Sequence, residues 1–252
     1  MDNIGNYAKH ARIWDWGGFD NTQEYQYWRA YAQQFGSNIL IPMCALGEVG
    51  AYMANRGFNV TAFDITPEMI AEGRKRFGNT ENLKLLQGNV TDSNFDIAPV
   101  DFCFCAEFGH LHNIDDIKLA FSCINRHMRA GGGFVIETGL RAPQGESKQF
   151  PPKTFYPNKQ VYPGLKIWKV GEGYTDGESG RHYISQTVNI EDENGKIEET
   201  FEHSFYLQSY FREEWLDALS ECGFSVMNEY GSRDKKSWND GDDLWIVEAV
   251  KR

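Results

Sequence analysis

The chain has 252 residues and a mass of 28.9 kDa, which suits one large domain or one domain carrying an insertion. Hydrophobic residues at 41% and charged residues at 24% supply the material for a buried core, so disorder of the whole is excluded. Thirty-six acidic side chains against 25 basic ones leave a formal charge of −11; such a field repels phosphate, and nucleic acid is not an expected partner.

The opening residues, MDNIGNYAKHARIWDWGG, lack the basic-then-apolar pattern of a secretory signal. The longest apolar run, Asn38 to Leu46, is far too short for a membrane span, which needs roughly 20 residues. Five cysteines without zinc-like spacing read as reduced, buried thiols of a cytoplasmic protein.

In chain order, Asn21 or Thr22 followed by Glu24 opens a helix expected to reach about Gln34. Asn38–Met43 reads as a short buried strand and Val49–Asn55 as a helix closed by Gly57. Asn59–Asp64 is a second strand, and Thr66-Pro67 supplies N-cap and first turn for a helix to Phe77. Leu83–Gln87 and Asp101–Ala106 are strands three and four, Asp115–Met128 a helix, and Gly132–Glu137 strand five. Continuously apolar strands alternating with helices imply a parallel sheet covered on both faces. From 150 to 210 the periodicity changes to aromatic and β-branched runs broken by Asp176-Gly177 and Asn194-Gly195, the mark of an antiparallel insertion. A helix over Phe211–Cys222 and strands over Phe224–Tyr230 and Leu244–Val250 close the chain.

In such a sheet, ligands bind beyond the carboxyl ends of the strands. Strand one runs into Cys44-Ala45-Leu46-Gly47-Glu48-Val49-Gly50, where small residues such as Ala45 and Gly47 allow close approach to the backbone. Asp64, ending strand two, can accept both hydroxyls of a ribose. The same arrangement also describes a tight turn with a helix-capping Asp, or a nicotinamide dehydrogenase. The loop lacks the G-x-G-x-x-G that seats a pyrophosphate. That lack, with the terminal helix, strand, long loop and strand, favours S-adenosylmethionine over a dinucleotide.

The chain resembles class I S-adenosylmethionine-dependent methyltransferases over nearly its whole length, in particular glycine N-methyltransferase and the N,N-dimethyltransferases of nucleotide-linked amino sugars. The resemblance is carried, in order, by Tyr7 with Ala11-Arg12-Ile13-Trp14, Glu24-Tyr25-Gln26-Tyr27-Trp28, Arg56–Asp64 with Met69, and Cys105–Leu111. It continues through Ala130-Gly131-Gly132-Gly133 and Tyr206-Leu207-Gln208-Ser209-Tyr210. It departs at the end of strand one, where the family's acid is replaced by Ile41 or Pro42. It departs also in the glycine run, which reads Met43-Cys44-Ala45-Leu46-Gly47 and retains only its last glycine. Ile39-Leu40-Ile41-Pro42 is in addition similar to thiol and thiopurine methyltransferases, which leaves S-methylation as a distant option.

The resemblance implies an α/β, Rossmann-like class I sheet, mostly parallel with its last strand antiparallel, and an antiparallel β cap. The expected parts are an N-terminal lid and first helix (1–36), a cofactor-binding domain (37–149 and 211–252) and the cap (150–210). S-adenosyl-L-methionine is the implied cofactor, held by Tyr7, Trp14, Ala45, Gly47, Asp64, Ile65, Met69, Asn89, Val90 and Ala106. Asn89 would meet the adenine edge or cap a turn; Ile65 and Val90 would sandwich the ring or belong to the core. Glu107 would replace the missing acid near the methionine ammonium or stand as a rim charge. His110, Tyr7 and Glu107 are the expected catalytic residues, His110 as the group that receives an amine proton or as a hydrogen-bonded structural residue. Tyr7, Trp14 and Trp16 would close as a lid on the sulfonium or simply pack. Arg141, Tyr206 and Tyr210 are the expected substrate residues. Thr138 and Gly139 occupy the positions closest to the arginine that glycine N-methyltransferase uses, which argues against glycine as substrate. His110-x-His112 has no third ligand at metal spacing, and no metal is expected.

The expected function is methyl transfer to a small-molecule acceptor, most directly at nitrogen, with no nucleic-acid or membrane partner and a homodimer left open. The alternatives are a cofactor-degenerate scaffold and a nicotinamide-dependent oxidoreductase.

Overall fold

Five short apolar strands build the parallel part of the main sheet: β1 Asn38–Pro42, β2 Asn59–Asp64, β3 Leu83–Gln87, β4 Val100–Cys105 and β5 Met128–Thr138. The computed structural model describes residues 7–14, 22–92, 94–106, 108–141, 147–155 and 165–252. The sheet is completed by β10 Phe224–Tyr230 and β11 Trp245–Lys251, giving the order β10-β11-β5-β4-β1-β2-β3. β11 pairs antiparallel with both β5 and β10, so it alone among these strands runs against the others. An all-parallel dinucleotide fold lacks this reversed final hairpin.

Both faces of the sheet are covered, as the uninterrupted apolar strands require. On one side Trp28 and Tyr31 of α2 (Thr22–Phe35), Met53 of α3 (Glu48–Ala54) and Ile70 of α4 (Pro67–Phe77) pack over Ile39, Ile41, Val60 and Phe104. On the other, Ile117, Phe121 and Ile124 of α5 (Ile114–His127) and Trp215 of α6 (Arg212–Glu221) pack over Leu40, Cys103 and Phe134. α5 shows why such a segment becomes a helix: its apolar side chains recur at three- and four-residue spacing. Asn113 caps it by accepting the Asp116 N–H at 2.8 Å, Asp115 and Asp116 sit in its first turn, and Arg126 and His127 in its last. Thr66 occupies the N-cap position of α4, but its side chain makes no capping bond; Pro67 in the first turn and the Asp64 carboxylate beneath the Thr66 N–H start that helix instead.

The insertion is a four-stranded antiparallel sheet in the order β6-β7-β8-β9, from β6 Lys148–Phe155, β7 Leu165–Asp176, β8 Arg181–Asp192 and β9 Ile197–Gln208. Strand alternation places Ile167, Val188, Ile190 and Phe201 on one face, where they bury Ile13. The short α1 (Tyr7–His10) and the 3₁₀ turn Ala11–Ile13 lie between this sheet and the main domain. Ala11 packs with Leu46 and Met69, while Ile13 packs into the cap. Tyr7, Trp14 and Ala45 border the former cluster, and Arg76 donates to the Arg12 carbonyl at 3.0 Å. Residues expected either to close as a lid or simply to pack thus form a structural joint. Trp16 lies outside the described residues.

Candidate active site

The carboxyl ends of β1, β2 and β3, the turn after β4, residues 7–14 and the edge of the cap enclose a cavity of about 740 Å³. That volume falls within the range of small-molecule and cofactor pockets, roughly 300–1,000 Å³. The cavity brings together Tyr7, Trp14, Ala45, Asp64, Ile65, Met69, Asn89, Val90, His110 and Tyr206, ten of the residues expected from sequence.

The loop after β1 explains how a run with one glycine keeps a tight turn. Met43, Ala45 and Gly47 all have positive φ, at 54°, 50° and 88°. These are the three positions where the resemblance places glycines. For Met43 and Ala45 the left-handed conformation costs roughly 1 kcal/mol each. Hydrogen bonds hold the path: the Cys44 N–H donates to the Phe63 carbonyl at 3.0 Å and the Gly47 N–H to the Cys44 carbonyl at 2.9 Å. A Cβ on Gly73 of α4 would collide with the Leu46 carbonyl oxygen, so helix and loop pack backbone to backbone.

Asp64 ties this loop to the next. One carboxylate oxygen accepts the Ala45 N–H and the other the Thr66 N–H, each at 2.9 Å. Burial raises its pKa, while the N–H groups of Thr66 and Ala45 pull it back. A carboxylate offers about four acceptor sites, and Asp64, which lines the cavity, presents it to hydroxyl donors such as those of a ribose. Asn89 lines the cavity, and its side-chain oxygen accepts the Thr91 N–H at 3.1 Å, the turn-capping role of the two considered. Val90 is both wall and core, 4% exposed and packed in the cluster of α5, whereas Ile65 stands 42% exposed at the rim.

Across the cavity the Tyr7 hydroxyl meets the His110 Nε2 at 3.1 Å. Burial drives the His110 pKa down to about 4, aided by His112, so the imidazole is neutral at neutral pH. Phe205 stands 5.5 Å from the His110 ring, and His112 stacks on Tyr206 at 3.8 Å. Behind Tyr7 lie His203, 4.8 Å away ring to ring, and His10, 4.0 Å from His203. Sequence reasoning missed His10, His203 and Phe205. The alternation of β9, which puts 201, 203, 205 and 207 on one face, was the signal available.

Several expected residues lie elsewhere. Gly47 faces Leu85 rather than the cavity, where its Cβ would come within 2.5 Å of a side-chain carbon; its role is packing. Ala106 packs against the core cluster of α2 and α3. Tyr210 is buried against Trp215 and donates to the Leu111 carbonyl at 2.5 Å, holding the turn that carries His110. Arg141 donates to the Glu178 carbonyl and lies 4.5 Å over the Phe211 ring, bracing the cap hairpin from outside the cavity. Glu107 lies outside the described residues. No metal-binding cluster occurs among the described residues, and no described helix is long and apolar enough to cross a membrane.

Comparison with known proteins agrees with this geometry. Residues 39–132 match the methyltransferase-domain family. A Bacillus subtilis (strain 168) protein classed among methyltransferases, YqeM, is 24% identical over 193 residues, covering 75% of this chain and 73% of its own. The sugar N-methyltransferase KedS8 of Streptoalloteichus has a TM-score of 0.77 at 16% identity, over 100% of this chain and 95% of its own. An S-adenosylmethionine-dependent methyltransferase of Clostridium acetobutylicum has a TM-score of 0.75 at 15% identity, over 97% and 98%. Residues 39–132 thus match a methyltransferase domain, and the chain, with its reversed final hairpin, has the class I S-adenosylmethionine-dependent methyltransferase fold.

Proposed function

We propose that the chain transfers a methyl group from S-adenosylmethionine to a small-molecule acceptor, most directly at an amine nitrogen. The observation that carries this is a single cavity joining the Asp64 carboxylate at the end of β2 to the Tyr7–His110 pair beneath the cap. When bound, S-adenosylmethionine supplies a methyl group activated by its sulfonium charge. The residues here contribute placement and exclusion of water, which at the ideal limit are worth about 7–11 kcal/mol of barrier. Tyr7 and Trp14 close one wall, and Phe205 and Tyr206 another. A neutral His110 puts no second positive charge beside a sulfonium. Tyr7, joined to its Nε2, restricts the ring's orientation. With so low a pKa the imidazole stays neutral, and the proton released on methylation passes to solvent. Nitrogen as the acceptor atom is supported by the likeness in fold to the sugar N-methyltransferase KedS8 and to CalS10, an amino pentose methyltransferase.

The test has two stages. Calorimetry with S-adenosylhomocysteine should give micromolar-range binding, and a panel of small amines and amino sugars should yield a methylated product identified by mass. Binding without turnover on any acceptor would favour a cofactor-binding scaffold; absence of binding would end the enzyme reading.

A further inference from the structure

Three tyrosines form a row across the cap. Tyr174 of β7 pairs in register with Tyr183 of β8, and Tyr183 with Tyr206 of β9, so all three project from one face of that sheet. Tyr174 and Tyr183 have ring centroids 6.3 Å apart and planes 18° from parallel; Tyr183 and Tyr206 are 5.6 Å apart at 43°. The row ends in the wall of the cavity. Tyr206 lines it and stacks at 3.8 Å on His112, which lines it too. Phe205 and Leu207, of opposite alternation, line it from the other face of the cap, so the cavity reaches around the edge strand β9.

The inner end of the row is held in place. The His112 Nε2–H donates to the Tyr206 carbonyl at 3.2 Å, and the Arg181 guanidinium lies 5.0 Å over the Tyr206 ring. The outer end is open, with Tyr174 39% and Tyr183 36% exposed. Cross-strand pairing of tyrosines stabilises any sheet, but it does not call for a row that runs into a cavity wall. Rings whose orientation is already set lose little freedom when another ring packs on them, and aromatic pairs favour centroid separations of about 4.5–7 Å.

We propose that Tyr206, Tyr183 and Tyr174 form an acceptor platform, and that the acceptor is an amine with an aromatic body long enough to leave the cavity and pack its outer ring against Tyr183. The proposal rests on the methyl-transfer reading above and adds the acceptor's class and its direction of entry.

The test uses the full chain saturated with S-adenosylhomocysteine, whose own binding is measured first. Calorimetry then compares phenethylamine, its para-phenyl derivative and its para-cyclohexyl derivative. The para-phenyl compound should bind about tenfold tighter than phenethylamine and about threefold tighter than the para-cyclohexyl compound. Tyr183→Ser should remove most of that gain and Tyr183→Phe should keep it. Neither should change the affinity for S-adenosylhomocysteine, because Tyr183 stands outside the cavity lining. If Tyr183→Ser failed to fold, Tyr174→Ser, at the more exposed end of the row, should lower the gain in its place. Equal affinity for the phenyl and cyclohexyl compounds would overturn the proposal, as would a gain that survives these serine variants. Failure of all three amines to bind the loaded protein would overturn it and leave the cofactor reading intact. Failure of S-adenosylhomocysteine itself to bind would overturn the cofactor reading and the proposal with it.

Discussion

Three neutral imidazoles around Tyr7 make the protein's stability depend on pH in a calculable way. His10 and His203 are 3% and 2% exposed and lie ring against ring, with His110 on the other side of Tyr7. Burial lowers the His10 pKa from 6.5 to about 3, with help from His203 and Lys169, and lowers those of His110 and His203 to about 4. Because these folded values lie below the unfolded one, the groups contribute stability that is present above pH 6.5 and lost as pH falls toward 4. Between pH 7.5 and 5.5 the folded state keeps all three neutral while the unfolded chain takes up protons. The difference is somewhat over 1 kcal/mol per imidazole, or about 4 kcal/mol for the three. For a chain of this size each kcal/mol moves Tm by about 2–4 °C, so the melting temperature should fall by about 8–16 °C. Urea unfolding at the two pH values measures the same quantity without heating. The discriminating variant is His203→Gln, which removes one titrating group and should shrink the pH-dependent loss by about 1.4 kcal/mol, whatever it does to stability at pH 7.5. An unchanged pH dependence in that variant would refute the argument, because the proton uptake would then have to arise elsewhere.

Asp64→Ala should cost about 1.5–3 kcal/mol of cofactor binding, roughly 10–150-fold, as measured by calorimetry with S-adenosylhomocysteine. It should also lower Tm by several degrees, since the N–H groups of Ala45 and Thr66 lose their partner. Tyr7→Phe keeps the ring's packing and removes only the hydroxyl that meets His110; steady-state methyl transfer should fall about tenfold, or about 1.4 kcal/mol of barrier, with Tm nearly unchanged. Unaltered turnover would show that the contact does not orient the imidazole. Gly73→Ala forces α4 away from the Leu46 carbonyl and should destabilise by about 1–3 kcal/mol in urea unfolding, although alanine favours a helix elsewhere. A neutral or stabilising effect would mean that loop and helix separate freely.

The pattern of apolar runs was enough for the architecture. Continuously buried strands admit only a sheet covered twice, so the order of elements, the α/β class and the antiparallel insertion followed from periodicity 2 and 3.6 alone. Asp64 was legible for a similar reason: a carboxylate ending an apolar strand has one place to go, the ligand edge of the sheet. Boundaries were less legible, and β5 begins at Met128 rather than Gly132 because β4 offers it a bulged partner there.

Side-chain direction was not legible where two sheets meet. Arg141 and Tyr210 sit in chain segments beside the cavity, yet one braces a hairpin and the other holds the Leu111 carbonyl. β9 ends at Gln208, so the strand alternation that carries Tyr206 does not extend to Tyr210. His10 and His203 are 193 positions apart and each reads alone as an ordinary histidine; only the docking of α1 on β9 makes them a cluster. The loop after β1 shows the same division of labour. Its lost glycines suggested a degraded site from composition, but long-range bonds to Phe63 and Asp64 impose the left-handed turn on Met43 and Ala45. Local propensity sets a cost of order 1 kcal/mol there, and tertiary contacts, which are stronger in sum, override it.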